Sequence, residues 1–137
     1  MKTLFTTEAI SKGGRSGSVK NPDGLLDLTL GNPLEKGKEK VGPNPEMLFA
    51  AAYAACYNSA LGAAAKKLEI EIKDPFVRVL VSLQEDDYEG YQLAVELHAH
   101  LPGIEPAKAD RIMTLAHETC PYSKMTRGDV MVKLVVD

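Results

Sequence analysis

Two cysteines are the residues of this chain best suited to covalent chemistry. Cys56 lies in an uncharged, alanine-rich run at residues 47–65. Cys120 stands directly before Pro121. A free thiol has a pKa of about 8.5, so only a few per cent of it is thiolate near neutral pH, and an apolar helix raises that pKa further. Cys56 is therefore either an inert core residue or a nucleophile that a cation ionises, and a second thiol within reach would give a redox cycle.

Arg15 and Glu46 are the candidate charged partners. Arg15 lies in the segment GGRSG at residues 13–17, where the glycines let the backbone approach another element closely and leave the guanidinium free to point inward. It is equally well read as a solvated turn arginine. Glu46 follows Asn44 and Pro45, a pattern that predicts a helix start. Its plain interpretation is a carboxylate at the positive end of the helix dipole.

The remaining pattern predicts the elements that must position these residues. Two helices are predicted, one from Asn44 to about Leu68 and one at residues 106–119. Pro121 either stops the second helix or starts a short new one. The order of elements, βββ-α-ββ-α-β, favours a single α+β domain over residues 1–137 with antiparallel strands. Strands or extended segments are predicted at 2–10, 18–20, 25–30, 76–84, 91–101 and 130–136, with a hairpin turn at 86–90.

The bulk composition excludes several classes of function. The chain has 137 residues and a net charge of -3, with its basic residues scattered, so nucleic acid is not expected as a partner. Two cysteines are too few for a disulfide scaffold, and the first residues carry no apolar secretory segment, so the reducing cytoplasm is the expected compartment. Residues 47–65 are long enough to enter a membrane. Their alanine content and the interruptions at Asn58, Ser59 and Gly62 favour a buried core helix instead.

Four segments of the sequence carry recognisable motifs, namely 13–19 (GGRSGSV), 44–51 (NPEMLFAA), 53–56 (YAAC) and 120–128 (CPYSKMTRG). Together they resemble the organic hydroperoxide resistance (Ohr) proteins of the OsmC/Ohr superfamily. The resemblance spans nearly the whole chain, in order and at compatible spacings, and the last segment is typical of the Ohr branch. Departures at Pro43, in the charged loop 31–42 and at Asp129 do not involve either cysteine, Arg15 or Glu46.

The resemblance implies an OsmC-like fold, in which antiparallel sheets wrap two central helices of an intertwined homodimer. It also implies an enzyme that reduces organic hydroperoxides, with Cys56 as the peroxidatic and Cys120 as the resolving cysteine. Arg15 and Glu46 match the charged pair beside the reactive thiol. The implied reductant is a dithiol such as a lipoyl group, and no cofactor is expected.

Spacing adds a constraint on the charged pair. Glu46 and Cys56 lie ten residues apart on one predicted helix, which places them about 15 Å apart along its axis. One arginine cannot readily bridge both within a single chain. If Arg15 and Glu46 serve the thiol, Glu46 is expected to come from a second subunit.

Apolar residues near both cysteines predict a pocket for alkyl or lipid-derived hydroperoxides, although core packing alone would also explain them. Histidines at 98, 100 and 117 lack metal-ligand spacing with either cysteine, so no metal site is expected. The alternative from another class is a non-enzymatic thiol sensor or small-ligand binding module. The predicted pocket residues are Tyr122, Phe49, Tyr53 and Met125.

Overall fold

The computed structural model describes residues 1–88 and 90–137. The chain forms two compact units, residues 1–48 and 49–137. Glu89, which belongs to the predicted hairpin turn at 86–90, lies outside the described residues. The single domain over residues 1–137 stays a prediction.

The first unit is built on a three-stranded antiparallel sheet with strand order β1-β2-β3. A 3₁₀ turn at Gly14–Ser16 joins the first two strands. In the register, Val19 of the central strand lies between Ser11 and Leu28. The strands are β1 (Ile10–Lys12), β2 (Ser18–Lys20) and β3 (Asp27–Thr29).

Helix α1 spans Pro45–Lys67 and begins as the sequence predicts. The side-chain oxygen of Asn44 accepts a 2.8 Å hydrogen bond from the backbone N–H of Met47. Pro45 occupies the first position of the helix, where its missing N–H has no cost, and lysines lie in the last turn. These local signals explain why the predicted and observed bounds agree to within one or two residues.

The second unit combines a long β-hairpin with the helices that carry both cysteines. Strands β4 (Phe76–Asp86) and β5 (Gly90–His100) pair antiparallel, with Val81 opposite Val95. Helix α2 spans Pro106–Thr119 and α3 spans Pro121–Thr126. Residues alternate along β4 between exposed and half-buried, so one face of the hairpin packs inward.

The core of the second unit lies between α1, α2 and the hairpin. The α1 residues in it are Tyr53, Tyr57, Leu61, Ala64 and Ala65, and spacings of three and four put them on one face of the helix. The opposite face of α1 is exposed in the single chain and carries small residues. This face consists of Ala51, Ala55, Ser59 and Gly62.

The prediction of an α+β fold with antiparallel sheets is confirmed, but two predicted strands are wrong. Residues 2–9 and 130–136 are exposed and belong to no strand. An extended segment becomes a strand only when another strand completes its hydrogen-bond ladder. No described segment of the single chain does so for either terminus.

Among the described residues, one helix, α1, is long and apolar enough to span a membrane by length and composition, with a mean hydropathy of 1.2. The core helix of a globular protein passes the same test. In the single chain, α1 buries one face in the core of the second unit, and 22% of the apolar stretch is buried.

Candidate active site

The two cysteines meet inside the second unit. The Sγ atom of Cys120 lies 3.7 Å from that of Cys56, close enough for a hydrogen bond between the sulfurs. Both are free thiols; Cys120 is buried and Cys56 is half-buried. A disulfide has an S–S distance of about 2.05 Å, so the sulfurs need to approach by less than 2 Å to join.

Cys120 is presented by a break between two helices. Its backbone is extended, with φ −64° and ψ 124°, while α2 ends before it and α3 begins after it. Pro121 enforces this conformation, because proline disfavours the helical region for the residue that precedes it. The N–H of Cys120 still donates to the Ala116 carbonyl at 2.8 Å, and its carbonyl accepts from the Lys124 N–H at 3.0 Å. The thiol is therefore fixed to both helices.

The surroundings of Cys56 within the second unit oppose ionisation. Burial raises the pKa of the Cys56 thiol, and the hydrogen bond with Cys120 raises it further. A backbone hydrogen bond from Tyr122 acts in the opposite direction and lowers the pKa. The Cys56 thiolate is therefore disfavoured within this unit, and positive potential is what would offset that effect.

Arg15 and Glu46 form a two-pronged ion pair in the first unit. Arg15 Nη2 donates to Glu46 Oε1 at 2.6 Å, and Nη1 donates to Oε2 at 2.9 Å. The Glu46 side chain is 13% exposed and that of Arg15 is 42% exposed. The hydrogen bond from Arg15 is the main reason why the pKa of Glu46 falls below its ordinary value. The paired geometry holds the guanidinium plane in one orientation.

The glycines around Arg15 have a structural reason. Gly13 adopts φ 78°, in the left-handed region that favours glycine. A Cβ on Gly17 would lie 1.9 Å from the carbonyl oxygen of Lys12. These contacts are local: they fold residues 12–17 back on themselves and place Arg15 in a tight 3₁₀ turn, where its side chain is exposed in the single chain. The close approach to another element that the sequence analysis expects for these glycines, with an inward-pointing guanidinium, stays a prediction.

Three of the four predicted pocket residues form an aromatic cluster beside the thiols. Tyr53 lies 5.7 Å from Phe49 in an edge-to-face arrangement and 5.8 Å from Tyr122, measured between ring centroids. Phe49 and Tyr122 are 6.3 Å apart. Met125 is 44% exposed. Its part in a pocket stays a prediction.

A cavity of about 390 Å³ lies between the helices and the hairpin strand β5. Phe49 and Tyr53 contribute to its wall, as do residues that the sequence analysis does not select. The alternation of β5 is the signal that could have identified the strand residues, because every second side chain points to the same face. The additional lining residues are Leu93, Val95, Leu97, His117 and Thr126.

The sequence did not predict a hydrogen-bonded network of polar side chains next to the thiols. Ser123 Oγ lies 2.7 Å from Tyr53 Oη and 2.9 Å from His117 Nδ1. Ser123 is fully buried and Tyr53 is 1% exposed. The sequence offered one hint, since all three residues stand three positions from a cysteine.

Comparison with known proteins identifies the family of this chain. The family model described as OsmC-like protein matches residues 36–135. The organic hydroperoxide resistance protein OhrB of Bacillus subtilis is 43% identical over 132 residues, which cover 96% of each chain.

Solved structures give the same result. An organic hydroperoxide resistance protein from Legionella pneumophila has a TM-score of 0.84 and 45% identity, with 96% of each chain covered. One from Vibrio cholerae, with captopril bound in one of its active sites, has a TM-score of 0.84 and 37% identity, covering 94% of this chain and 89% of that one. The chain therefore belongs to the OsmC-like family and, within it, to the organic hydroperoxide resistance proteins.

Proposed function

We propose that the protein is a cysteine-based peroxidase that reduces organic hydroperoxides to alcohols. The observation that carries this proposal is the pair of free thiols 3.7 Å apart, one in an apolar helix and one at a helix joint. The names of the relatives, which are organic hydroperoxide resistance proteins, support a role in resistance to these compounds. The expected place of action is the cytoplasm.

The first step uses Cys56 as the nucleophile. Its thiolate attacks one oxygen of the hydroperoxide, the O–O bond breaks, and the other oxygen leaves as an alkoxide that takes up a proton to become the alcohol. Cys56 is left as a sulfenic acid, so the sulfur is oxidised by two electrons while the peroxide is reduced by two.

The second step uses Cys120. Its thiol condenses with the sulfenic acid, the S–O bond of Cys56 breaks, and the hydroxyl leaves with the Cys120 proton as water. The Cys56–Cys120 disulfide protects Cys56 from irreversible overoxidation. A dithiol such as dihydrolipoamide then reopens it by thiol–disulfide exchange and becomes a cyclic disulfide. Captopril is itself a thiol, so its presence in a relative's active site supports access by a small thiol reductant.

Arg15 is the proposed source of positive potential. A guanidinium is permanently charged, which favours the thiolate of Cys56, and its N–H donors can hold the peroxide oxygens as charge moves to the leaving group. Glu46 orients the guanidinium through the paired hydrogen bonds. A carboxylate held by two such bonds keeps the fork in one plane and so reduces the reorganisation needed during attack.

We further propose that the active site is shared between two copies of the chain. Glu46 and Cys56 lie ten positions apart on α1, about 15 Å along the helix, so the ion pair is expected to serve the thiol of a partner. The small-residue face of α1, exposed in one chain, is suited to close helix packing. The exposed apolar termini at 2–9 and 130–136 are expected to complete sheets of the partner, as in the intertwined homodimer implied by the family.

The aromatic cluster favours substrates with an apolar group. Phe49, Tyr53 and Tyr122 offer rings that an alkyl or acyl chain can cover. Burial of apolar surface contributes about 25 cal/mol per Å². Hydrogen peroxide has no apolar surface to bury and gains nothing from this environment. Organic hydroperoxides are therefore the expected substrate class, with Met125 as a further wall residue.

Turnover tests the proposal directly. The protein is mixed with cumene hydroperoxide and excess dihydrolipoamide, and peroxide loss is followed over time. Many equivalents consumed, with Cys56→Ser inactive, is the expected result. Consumption of a single equivalent, with no recycling by the dithiol, would instead identify a thiol sensor. No consumption at all would reject thiol chemistry for the pair.

A further inference from the structure

A hydrogen-bonded chain of three side chains runs beside the two thiols. Tyr53 of α1, Ser123 of α3 and His117 of α2 are linked through the Ser123 hydroxyl, at 2.7 Å and 2.9 Å. This network therefore connects all three helices around the sulfur pair, and the chemistry described above gives its hydrogen bonds no role.

The three residues of this network each lie three positions from a cysteine in the sequence. Tyr53 precedes Cys56 by three residues on α1, so the two side chains share a helix face. His117 precedes Cys120 by three residues, and Ser123 follows it by three. The hydrogen-bonded network therefore lies about one helical turn away from the sulfurs. It links α1 to the α2–α3 joint, which are the two parts of the backbone that the disulfide would also join.

We propose that His117 and Ser123, anchored on Tyr53, are positioning residues that hold Cys120 within reach of Cys56 for disulfide formation. The inference rests on the proposed peroxidase function. In this role, the network keeps the α2–α3 joint packed against α1 while the Cys56 sulfur changes its oxidation state.

The network is suited to this task because its centre is buried and paired on both sides. Ser123 is fully buried, Tyr53 is 1% exposed and His117 is half-buried. The Ser123 hydroxyl can donate to His117 while accepting from Tyr53, or donate to Tyr53 while accepting from His117. Loss of the Ser123 hydroxyl would leave the buried Tyr53 hydroxyl without this partner, which costs more than the bond itself contributes.

Arg127 strengthens the same joint from outside. Its Nη1 donates to the His117 carbonyl at 2.7 Å, at the end of α2 where backbone carbonyls lack helical partners. The hydroxyl of Thr126 donates to the Ser123 carbonyl at 2.8 Å. The His117 and Ser123 backbones are therefore both held, and the bond between their side chains adds a direct link between α2 and α3.

Positioning matters because two reactions compete for the sulfenic acid. Condensation with Cys120 gives the disulfide and water, whereas a second hydroperoxide oxidises Cys56 to sulfinic acid and releases a second alcohol. Condensation is intramolecular, so its rate depends on how often the sulfurs are aligned. A loosened joint slows condensation and leaves the attack by hydroperoxide unaffected.

The experiment measures the partition between these products. Reduced full-length protein is treated with increasing cumene hydroperoxide in the absence of reductant, and intact mass distinguishes disulfide (loss of two hydrogens) from sulfinic acid (gain of two oxygens). In Ser123→Ala, the hydroperoxide concentration that overoxidises half of the molecules should fall about tenfold, the effect of one ordinary buried hydrogen bond. The rate of the first attack in Ser123→Ala should stay at the wild-type value.

Two substitutions at His117 extend the test. They distinguish loss of the hydrogen bond from a general loosening of the packing around the joint. His117→Asn retains a donor near the Nδ1 position and should keep most of the wild-type partition, whereas His117→Leu should resemble Ser123→Ala. Thr119→Ala is the control, because its exposed hydroxyl bonds only to carbonyls of its own helix. Should Ser123→Ala fail to fold, the two His117 variants carry the comparison.

The outcomes separate this inference from the proposed function. Wild-type protein that forms no disulfide would overturn the peroxidase proposal itself. Wild-type protein that forms the disulfide, with Ser123→Ala and His117→Leu partitioning as wild type does, would overturn only the positioning role. Equal loss in His117→Asn and His117→Leu would also reject it, because the hydrogen bond would then not be the cause.

Discussion

The Sγ atoms of Cys56 and Cys120 lie 3.7 Å apart although 64 positions separate the residues in sequence. Two local features bring them together. Helix α1 buries one face in the core of the second unit, and Pro121 breaks the α2–α3 segment at Cys120. The thiols are adjacent without being bonded, which is the arrangement that a reduced two-cysteine peroxidase requires.

Replacement of Cys120 tests its role as the resolving thiol. Cys120→Ser should reduce one equivalent of hydroperoxide to give the sulfenic acid of Cys56, since a hydroxyl cannot condense with it under these conditions, and a second equivalent should then oxidise Cys56 to sulfinic acid. Intact mass should show a gain of two oxygens where the wild type loses two hydrogens. Sustained turnover of Cys120→Ser with dihydrolipoamide would contradict the assignment.

Replacement of Arg15 tests the source of the thiolate. Burial raises the pKa of Cys56, so removal of the cation that is proposed to favour the thiolate should leave that effect unopposed. Arg15→Ala should slow alkylation of Cys56 by iodoacetamide at neutral pH roughly tenfold, and the difference should vanish at pH values above the thiol pKa. Lys20→Ala, which removes a cation paired with Asp27 in the same unit, is the control. Equal alkylation rates in Arg15→Ala and wild type would exclude the proposed electrostatic role.

The helices of this fold were predictable from the sequence because their start signals are local. Asn44 and Pro45 define the first turn of α1, and prolines open α2 and α3. The family resemblance, carried by motifs in consecutive segments, supplied the pairing of Cys56 with Cys120. Composition and spacing alone did not decide whether Cys56 is a core residue or a nucleophile.

The features that escaped prediction depend on distant parts of the chain. Residues 130–136 alternate as a strand should, but the alternation does not specify which edge accepts them. Tyr53 and Ser123 are 70 positions apart, and no local pattern in either segment indicates that their hydroxyls meet. Long-range polar contacts of this kind follow from packing, which a single sequence does not reveal.

The Arg15–Glu46 pair should give a pH-dependent contribution to stability. The pKa of Glu46 is lowered in the folded state. The contribution is therefore fully present above the pKa of Glu46 in the unfolded chain and is lost as pH falls through the folded value. Glu46→Gln should lower the free energy of unfolding by about 1 kcal/mol or less at pH 7, with the difference from wild type shrinking as the solution is acidified.

The exposed pair of Lys20 and Asp27 provides the control for this measurement. These side chains lie 3.8 Å apart and are 63% and 61% exposed. Asp27→Asn should therefore change the denaturant midpoint much less than Glu46→Gln does at pH 7. A Glu46→Gln effect that is the same at pH 7 and at acid pH would show that the carboxylate charge is not what stabilises the turn.

The exposed face of α1 tests whether the active site is shared between two chains. Ser59 lies on that face and is exposed in one chain, so Ser59→Glu should be tolerated by a monomer but would bury an unpaired charge between packed helices. Light scattering should then give the mass of one chain for Ser59→Glu and twice that mass for the wild type. Hydroperoxide turnover of Ser59→Glu should also fall, because Arg15 and Glu46 would no longer reach a partner's thiol. Ala107→Glu introduces the same charge at an exposed position in the first turn of α2, where an acidic side chain is favourable, and should leave both mass and turnover unchanged. A fully active Ser59→Glu monomer would place the ion pair and the thiols of one chain in the same site and refute the shared arrangement.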